Sequence, residues 1–304
     1  MKFKIDTPIP SNPIVTYTLP VISVGSCFAD NMSDKLANAR FNVLANPFGI
    51  LYNPLSIGKA FLDFALEDVA DSDLIHHNGL WHSWHHHGQM STPNKPELVE
   101  RVVHAKRQLK ASLEEAKTTI LITFGSAWVY SYQCQIVANC HKLPEASFAK
   151  KLLAVSEIVE LWRTALAKYP EHDFIFTVSP VRYVKDGVHN SNLSKSVLHL
   201  AVNELIVSHK NAHYFPAYEI VLDELRDYRF YDRDLVHPNE VAIDYVWDLF
   251  KECFFDDKTK AMHEAWKKIQ LMKQHRILHP ETEEARLFAK SLQKKSTEFE
   301  ALFF

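Results

Sequence analysis

Two short segments of the sequence carry residue types that could together perform nucleophilic chemistry. Residues 25–29 read Gly-Ser-Cys-Phe-Ala, and residues 234–239 read Asp-Leu-Val-His-Pro-Asn. A serine hydroxyl is a weak nucleophile until a base takes its proton, and histidine can do so when a carboxylate holds its other ring nitrogen. An aspartate and a histidine three residues apart on a tight turn can form that hydrogen bond. Ser26, His237 and Asp234 are therefore candidates for a nucleophile, a base and its orienting group.

Each segment also has an ordinary structural explanation. A serine that precedes a helix most often caps it. In a chain with 17 histidines, an Asp-x-x-His pattern can easily arise by chance. Taken singly, the segments favour the structural explanation. Their joint placement, one after the first strand and one before the last helix of an alternating region, favours the chemical one.

The elements that must position these residues can be predicted from hydrophobic spacing. Short apolar runs predict strands at 20–24, 41–45, 119–124, 174–178 and 212–215. Amphipathic spacing predicts helices at 30–38, 55–69, 98–113, 147–168, 194–208 and 238–254, with Pro238 in the first turn of the last one. Because strands and helices alternate, we expect an α/β fold whose mostly parallel sheet is covered on both faces. The residues that follow its strands would then meet at one carboxyl edge.

Two stretches lie outside this alternation. Residues 128–140 alternate in hydrophobicity, which predicts a hairpin. After residue 255 the composition shifts to Lys, Glu, Gln and His around spaced apolar residues. We therefore expect an α/β domain over 1–255 and a helical extension over 256–304, packed on that domain or on a partner.

The overall composition excludes several classes of protein. The 304 residues carry a net charge of -3, with 47% hydrophobic and 23% charged side chains, as soluble globular proteins do. This balance argues against a disordered chain, a nucleic-acid-binding protein or a membrane-bound one. The first residues have no apolar signal core, and four cysteines in a chain of this length are typical of reduced thiols. A cytoplasmic location is expected, whereas the oligomeric state is not specified.

Histidines are concentrated in a polar stretch that we call the histidine loop, residues 76–87. It contains six of them, His76, His77, His82, His85, His86 and His87. No Cys-x-x-Cys or His-Glu-x-x-His pattern accompanies them, so a loop on the surface or in the wall of a cleft is favoured over a metal site. Neither a metal nor a cofactor is predicted.

The segment at 25–29 resembles the signature of the GSCFA family, which is placed among the SGNH (GDSL-like) hydrolases. The resemblance covers most of residues 20–255 and continues through further blocks at 46–49, 125–130, 137–142, 179–182, 192–195 and 214–238. It implies a flavodoxin-like, three-layer α/β/α fold. It also implies Ser26 as nucleophile, His237 as base and Asp234 as its orienting group, and a reaction of ester hydrolysis or acyl transfer.

The sequence departs from the superfamily pattern at the residues that would bind the oxyanion. The usual serine block reads Gly-Asp-Ser, and the third block supplies an asparagine from Gly-x-Asn-Asp, whereas residues 125–128 here read Gly-Ser-Ala-Trp. The oxyanion hole is therefore expected to use the backbone N–H of Ser26 or Cys27 and that of Gly49. A third donor would come from one of three polar side chains, Asn46, Ser126 or Asn139.

Two further residues near these blocks have alternative roles. Cys27 is expected to be a buried, inert thiol, because nothing nearby in the sequence would lower its pKa. Arg182 follows Ser-Pro at the end of a strand. There it could hold a carboxylate or phosphate of the substrate, or it could take part in an ordinary ion pair.

Three classes of function remain open at this stage. The first is a serine-dependent esterase or O-acyltransferase acting on an ester, such as an acylated carbohydrate. The second is a non-catalytic protein that binds a carbohydrate or small molecule on the same scaffold, since a fold does not guarantee activity. The third and least favoured is a metal-dependent hydrolase that uses the histidine loop.

Overall fold

The structure, a computed structural model, describes residues 4–63, 68–114 and 117–301. Within these ranges the strands, in chain order, are β1 (Val21–Gly25), β2 (Val43–Ala45), β3 (Leu74–His77), β4 (Leu80–Ser83), β5 (Thr119–Phe124), β6 (Trp128–Tyr132), β7 (Gln135–Val137), β8 (Ala149–Leu152), β9 (Asp173–Val178) and β10 (Ala212–Tyr214). The helices are α1 (Cys27–Asn38), α2 (Pro54–Asp63), α3 (Lys95–Glu114), α4 (Val155–Lys168), α5 (Val188–Ser208), α6 (Ala217–Glu219), α7 (Glu240–Phe254), α8 (Asp257–Gln274) and α9 (Glu283–Glu300). A π-helical turn at Ile220–Leu225 continues α6.

The five predicted strands form one parallel sheet, which confirms the expected fold class. Their order across the sheet is β10-β9-β5-β1-β2. When these five strands are counted in chain order, this is the flavodoxin-like order 2-1-3-4-5. From β1 the chain crosses first to β2 on one side and then to β5 on the other, so the direction of the strand order reverses between β1 and β5. A crevice is expected at that switch point, outside the carboxyl ends of the strands.

Helices cover both faces of the sheet, because alternate residues of each strand point in opposite directions. In β1, Ile22 and Val24 pack in a core formed with α2, α3, α4 and α5. Val21 points the other way, into a core formed with α1, α6 and α7. The result is the three-layer α/β/α arrangement that the sequence predicted.

The second half of the chain differs from the prediction at the starts of two helices. The helix predicted at 147–168 begins only at Val155, because residues 149–152 form β8 and pair antiparallel with β6. Pairing with β6 supplies the backbone partners that a helix would otherwise provide. The predicted hairpin at 128–140 is confirmed as β6 and β7. The helix predicted at 194–208 begins earlier, at Val188.

The structure corrects three further predictions. The last helix of the α/β region begins at Glu240, and Asn239 caps it by accepting the N–H of Ala242 at 3.2 Å, so Pro238 lies before the helix. The histidine loop contains a hairpin of β3 and β4. The helix predicted at 55–69 is seen as α2, residues 64–67 lie outside the described residues, and residues 68 and 69 are not helical, so the predicted end at 69 is wrong.

The C-terminal helices pack against the end of α1. Trp266 of α8 donates its Nε1–H to the carbonyl of Asn38 at 2.7 Å. The ring of Phe299 in α9 lies edge-on to Tyr17 at 6.3 Å between centroids. In the portion of the chain that is described, no helix is both long and apolar enough to cross a membrane.

Candidate active site

Ser26 lies at the switch point of the sheet, between the end of β1 and the start of α1. Gly25 ends the strand at a φ of 151°, and a Cβ at this position would lie 2.2 Å from the carbonyl oxygen of Thr123 in β5. Only glycine therefore allows β1 and β5 to approach so closely ahead of the serine. Gly125, at the end of β5, lies against the serine from the other side, because its own Cβ would be 3.2 Å from that of Ser26.

The hydroxyl of Ser26 is buried without a partner. Ser26 is at the N-cap position of α1, but its side chain makes no capping hydrogen bond. Only 1% of the residue is exposed, and its Oγ has no hydrogen-bond partner among the described residues. A buried polar group is normally satisfied, and exceptions are concentrated where a function requires them. Capping therefore does not explain this serine.

His237 and Asp234 form the pair that the spacing predicted. The two atoms His237 Nδ1 and Asp234 Oδ2 are 2.6 Å apart. The other carboxylate oxygen, Oδ1, accepts the N–H groups of Val236 at 2.9 Å and His237 at 3.0 Å, while Leu235 takes a φ of 60° to complete the turn. The aspartate thus builds the turn and also orients the imidazole.

Asp234 remains ionised at neutral pH. The backbone N–H of His237, then its imidazole and the N–H of Val236, lower the pKa of the Asp234 carboxyl to about 2. A carboxylate on Nδ1 selects the tautomer whose proton is on that nitrogen. The Nε2 lone pair is then left to accept a proton.

Ser26 and His237 open onto the same cleft, which has a volume of about 510 Å³. No hydrogen bond joins the two side chains. The cleft also includes aromatic residues of the β6–β7 hairpin and the turn after β9. The other lining residues that bear on its chemistry are Cys27, Tyr52, Asn53, Gly125, Ser126, Trp128, Tyr130, Asn139, Ser179, Arg182, Tyr183 and Lys185.

The start of α1 supplies one of the expected backbone donors. The N–H of Ser26 is occupied, since it donates to the carbonyl of Thr123 at 3.1 Å. Cys27 is the first residue of α1 and lines the cleft, so its N–H is the better candidate of the two. Its thiol is half-buried rather than fully buried, and burial, followed by the charge of Asp30, raises its pKa. The thiol is therefore protonated at neutral pH.

Gly49 does not provide the N–H that the sequence predicted for the oxyanion hole. That N–H donates to the carbonyl of Asn46 at 2.8 Å in a tight turn. The φ of Gly49 is +71°, and a Cβ there would lie 2.5 Å from the Cβ of His87. The glycine is required by the turn and by close packing.

The three side chains expected as a third oxyanion donor differ in whether they line the cleft and in whether their polar atoms are already hydrogen-bonded. Asn46 lies outside the cleft lining and bridges two elements, because its Oδ1 accepts the N–H of Gly25 at 2.9 Å and its Nδ2 donates to Asp30 at 2.5 Å. Ser126 lines the cleft, and its Oγ accepts the N–H of Trp128 at 3.0 Å. Asn139 also lines the cleft, and its Nδ2 has no hydrogen bond to any described residue.

Asn53 is a cleft residue that the sequence analysis missed. It is buried, and it caps α2 because its Oδ1 accepts the N–H of Ser56 at 2.8 Å while its Nδ2 donates to the hydroxyl of the same serine. The preceding carbonyl, of Tyr52, accepts the N–H of Gly125 at 2.8 Å. Asn53 is thereby held beside the residue that packs on Ser26. An asparagine before a proline is typical of a helix start, so the local sequence gives no sign that Asn53 lines a cleft.

Lys195 is a second residue that the sequence analysis did not single out. Its ammonium group is buried beneath the cleft and donates to the carbonyls of Gly125 at 2.8 Å and Ser179 at 2.7 Å. These residues follow β5 and β9, and both line the cleft. Lys195 therefore joins two neighbouring strand ends at the floor of the site.

The charge of Lys195 makes stability depend on pH. Burial lowers its pKa to about 7, from an ordinary value near 10.5. Between these values the unfolded chain binds a proton that the folded chain does not, so this group makes folding more favourable as the pH rises from 7 towards 10. The gain cannot exceed about 1.4 kcal/mol per pH unit.

Urea unfolding at several pH values from 7 to 9 should reveal this effect. We expect the wild type to gain free energy of unfolding relative to Lys195→Met as the pH rises, because the variant lacks the titrating group. Lys168→Met, which removes a lysine from the exposed part of α4, serves as the control. A constant difference between wild type and Lys195→Met would show that the ammonium form persists in the folded protein.

Arg182 is held in place by stacking. Its guanidinium carbon lies 4.7 Å from the ring centroid of Tyr231 and 5.4 Å from that of Tyr228. Its backbone N–H donates to the carbonyl of Val236 at 3.3 Å, which joins the turn after β9 to the turn that carries His237. No carboxylate forms an ion pair with Arg182 within the described ranges.

No residue of the histidine loop lines the cleft at Ser26, so the expectation that the loop walls that cleft is wrong; His85 and His86 line a second cleft instead. His86 is buried, and its Nδ1 is hydrogen-bonded to the hydroxyl of Ser83 at 2.7 Å. Burial lowers the pKa of His86 to about 3. The ring of Trp84 stacks on that of Tyr132 in β6, with 4.7 Å between centroids. The carbonyl of Trp84 accepts the N–H of Ala138, a cleft residue, at 2.7 Å. Among the described residues, no three potential metal ligands cluster.

Comparison with known proteins places the whole site within one family. A family model described as the GSCFA family matches residues 20–250, which is more than half of the chain and includes every cleft residue named above. A comparison with curated proteins found none that matches. On the strength of the family match, this chain belongs to the GSCFA family.

Proposed function

We propose that the protein is a serine-dependent esterase or O-acyltransferase that uses Ser26, His237 and Asp234 as its catalytic triad. The observation that carries this proposal is the buried, unpartnered hydroxyl of Ser26, which opens onto the same cleft as an imidazole held by a carboxylate. A nucleophile, a base and an orienting group are the three parts that acyl transfer through serine requires. We expect this triad to act on an ester.

In the first half of the reaction, Ser26 Oγ attacks the ester carbonyl carbon while His237 Nε2 takes the hydroxyl proton. The bond between Oγ and the carbonyl carbon forms, and the tetrahedral intermediate carries its negative charge on the former carbonyl oxygen. His237 then gives the proton to the leaving alkoxide, and an acyl-serine remains. The hydrogen bond between Ser26 and His237 must form when substrate binds, as catalytic bonds often do.

The second half reverses these steps with a new acceptor. Water or an acceptor hydroxyl gives its proton to His237 and attacks the acyl-serine, which yields an acid or a new ester. The oxyanion is stabilised in both halves by the N–H of Cys27 at the positive end of α1 and by one side-chain amide of the cleft. Asn53 is our first choice for that amide, because it is held beside Gly125, and Asn139 is the second.

The position of these groups in the fold supports a place among the SGNH (GDSL-like) hydrolases. The serine follows the first strand of a flavodoxin-like sheet, and the Asp-x-x-His turn precedes the last helix of that sheet. The missing asparagine after β5 is the main departure, and Asn53 offers an amide from a different loop. The substrate, and the choice between hydrolysis and transfer, are open to experiment.

A non-catalytic binding protein on the same scaffold is the second candidate. It is favoured by the lack of a hydrogen bond between Ser26 and His237 and by the engaged N–H of Gly49. Such a protein would bind a carbohydrate or small molecule in the cleft without acylating the serine. Covalent labelling separates the two candidates.

A fluorophosphonate probe tests the proposed nucleophile directly, because it phosphonylates only an activated serine. We expect one label, located on Ser26 by peptide mass spectrometry, and we expect it to be absent from Ser26→Ala. The matched control is Ser179→Ala, which removes another serine hydroxyl from the cleft and should keep the label.

A parallel screen of short p-nitrophenyl and sugar acyl esters should find activity in the wild type that Ser26→Ala lacks. That activity should survive a chelator, because the proposed steps use no metal. A folded wild type that is neither labelled nor active would favour the binding protein.

A further inference from the structure

The charges around the cleft are unbalanced. Its lining contains two cationic side chains, Arg182 and Lys185, and no aspartate or glutamate among the described residues. Lys185 is partly neutralised by Glu145, whose Oε2 lies 3.3 Å from the ammonium. Arg182 forms no ion pair with a carboxylate in the part of the chain that the structure describes. An arginine that lines a partly enclosed cleft attracts anions more strongly than one in open solvent does.

The guanidinium of Arg182 is also fixed in position before any ligand binds. It stacks over the rings of Tyr228 and Tyr231, and its Nη1 lies 3.4 Å from the hydroxyl of Tyr228. An arginine held in this way loses little side-chain entropy when it forms the paired hydrogen bonds that carboxylates and phosphates accept. Of the two roles open to Arg182 from the sequence, an ion pair within the protein is not the one observed.

On the other side of His237 the charge has the opposite sign. A groove that shares Cys27 and His237 with the cleft is lined by one lysine, Lys35, which pairs with Asp244. The same lining contains four carboxylate side chains, Asp30, Asp34, Asp232 and Glu240, so its charge is negative on balance. An anionic group would be repelled from this groove. The charge distribution around the triad therefore directs an anionic substrate to the side of Arg182.

We propose that the substrate of this site is an ester that carries an anionic group, a carboxylate or a phosphate, and that Arg182 binds that group. The inference rests on the proposed esterase function and adds a substrate class to it. The anionic group belongs either to the acyl part or to the alcohol part of the ester. The experiment distinguishes these two sources.

The test compares kcat/KM for charged and neutral esters of matched size. The charge is on the acyl part in p-nitrophenyl hydrogen adipate, whose neutral counterpart is p-nitrophenyl hexanoate. It is on the alcohol part in p-acetoxybenzoate, whose neutral counterpart is methyl p-acetoxybenzoate. We expect at least one charged ester to be preferred, and the pair that shows the preference identifies the part of the ester that carries the charge.

Substitution of Arg182 should abolish that preference. We expect the charged-to-neutral ratio of kcat/KM to fall by about 10- to 100-fold in Arg182→Gln, the usual effect of losing a hydrogen-bonded charge partner. Arg182→Lys keeps the charge but not the paired hydrogen bonds, so it should retain part of the preference. The control is Arg229→Gln, which removes an exposed arginine of the neighbouring turn that pairs with Asp227.

The ionic strength of the buffer provides a second measurement that needs no variant. In the wild type, added salt should lower kcat/KM for the preferred charged ester more than for its neutral counterpart, because salt screens the attraction. Equal kcat/KM values for charged and neutral esters, or an unchanged ratio in Arg182→Gln, would overturn the inference. If Ser26→Ala hydrolyses both esters as well as the wild type, the esterase function itself is wrong.

Discussion

Ser26→Ala and His237→Ala are each expected to lower kcat on a hydrolysable ester by about 10³- to 10⁶-fold. The reason is that the proposed reaction passes through one nucleophile and one base, and Ser26 Oγ has no hydrogen bond to any other described group that could replace His237. The double variant should lose little more than either single one, because residues that act as one unit are not additive. Losses that add, or a His237→Ala enzyme near the wild-type rate, would show that the triad is misassigned.

Asp234→Asn should lower kcat by less, since the carboxylate orients the base and is not consumed. The matched control is Asp232→Asn in the same loop. The side chain of Asp232 makes no hydrogen bond in the described part of the chain, so this variant should stay near the wild-type rate.

The pH profile gives an independent check of the same assignment. Ser26 can give its proton only to an imidazole whose Nε2 lone pair is free, and the carboxylate of Asp234 is not consumed in that transfer. Asp234, with a pKa of about 2, stays ionised, so it should add no step to the profile of kcat against pH above pH 4. The Asp234 carboxylate also favours folding above its ordinary pKa, near 3.8, and this contribution is lost as the pH falls towards 2.

Asn53→Asp is expected to lower kcat by about 10²- to 10³-fold with little change in KM, the usual result of losing one oxyanion donor. The substitution keeps the shape of the side chain and an oxygen that can accept the N–H of Ser56. The cap of α2 should therefore survive, while the amide N–H₂ is lost. A thermal melt close to that of the wild type would confirm that the loss is catalytic.

Two further variants complete this comparison. Asn139→Ala removes the other amide that lines the cleft. Asn46→Ala removes an amide outside it, so its effect should be on stability, through the lost bonds to Gly25 and Asp30. If Asn53→Asp stays within a few-fold of wild type while Asn139→Ala loses its kcat, then Asn139 is the donor.

Much of the fold could be predicted from the sequence, because it depends on local patterns. The central strands β1, β5 and β9 are short apolar runs buried almost throughout, as is typical of a parallel sheet covered on both faces, whereas the edge strands β2 and β10 are partly exposed. Strands that alternate with amphipathic helices leave few topologies open. The triad candidates were visible for a similar reason, since an aspartate and a histidine three residues apart make a local turn. The helix predicted at 147–168 started late because β8 depends on a partner strand, β6, that lies elsewhere in the chain.

Only the tertiary structure decided which polar groups surround the serine. Lys195 looks like a surface residue of an amphipathic helix, because burying a lone ammonium is unfavourable. It is buried here because the ends of β5 and β9 supply two carbonyls to it. Asn53 caps α2, and it also lines the cleft because the neighbouring carbonyl of Tyr52 is bonded to Gly125 at the end of β5.

The histidine loop and Gly49 are two further cases in which the local sequence did not specify the hydrogen-bond partners. The spacing of the histidines could not specify their partners, which include Ser83, Ser91 and Asp73. Gly49 was expected to offer a free N–H, but a turn uses it. The sequence alone therefore determined the five strands of the sheet, most of the helices and the turn that pairs Asp234 with His237, because these arise from neighbours along the chain. The tertiary structure decided the donors, the buried cation and the charge of the cleft, because each depends on contacts between residues far apart in sequence.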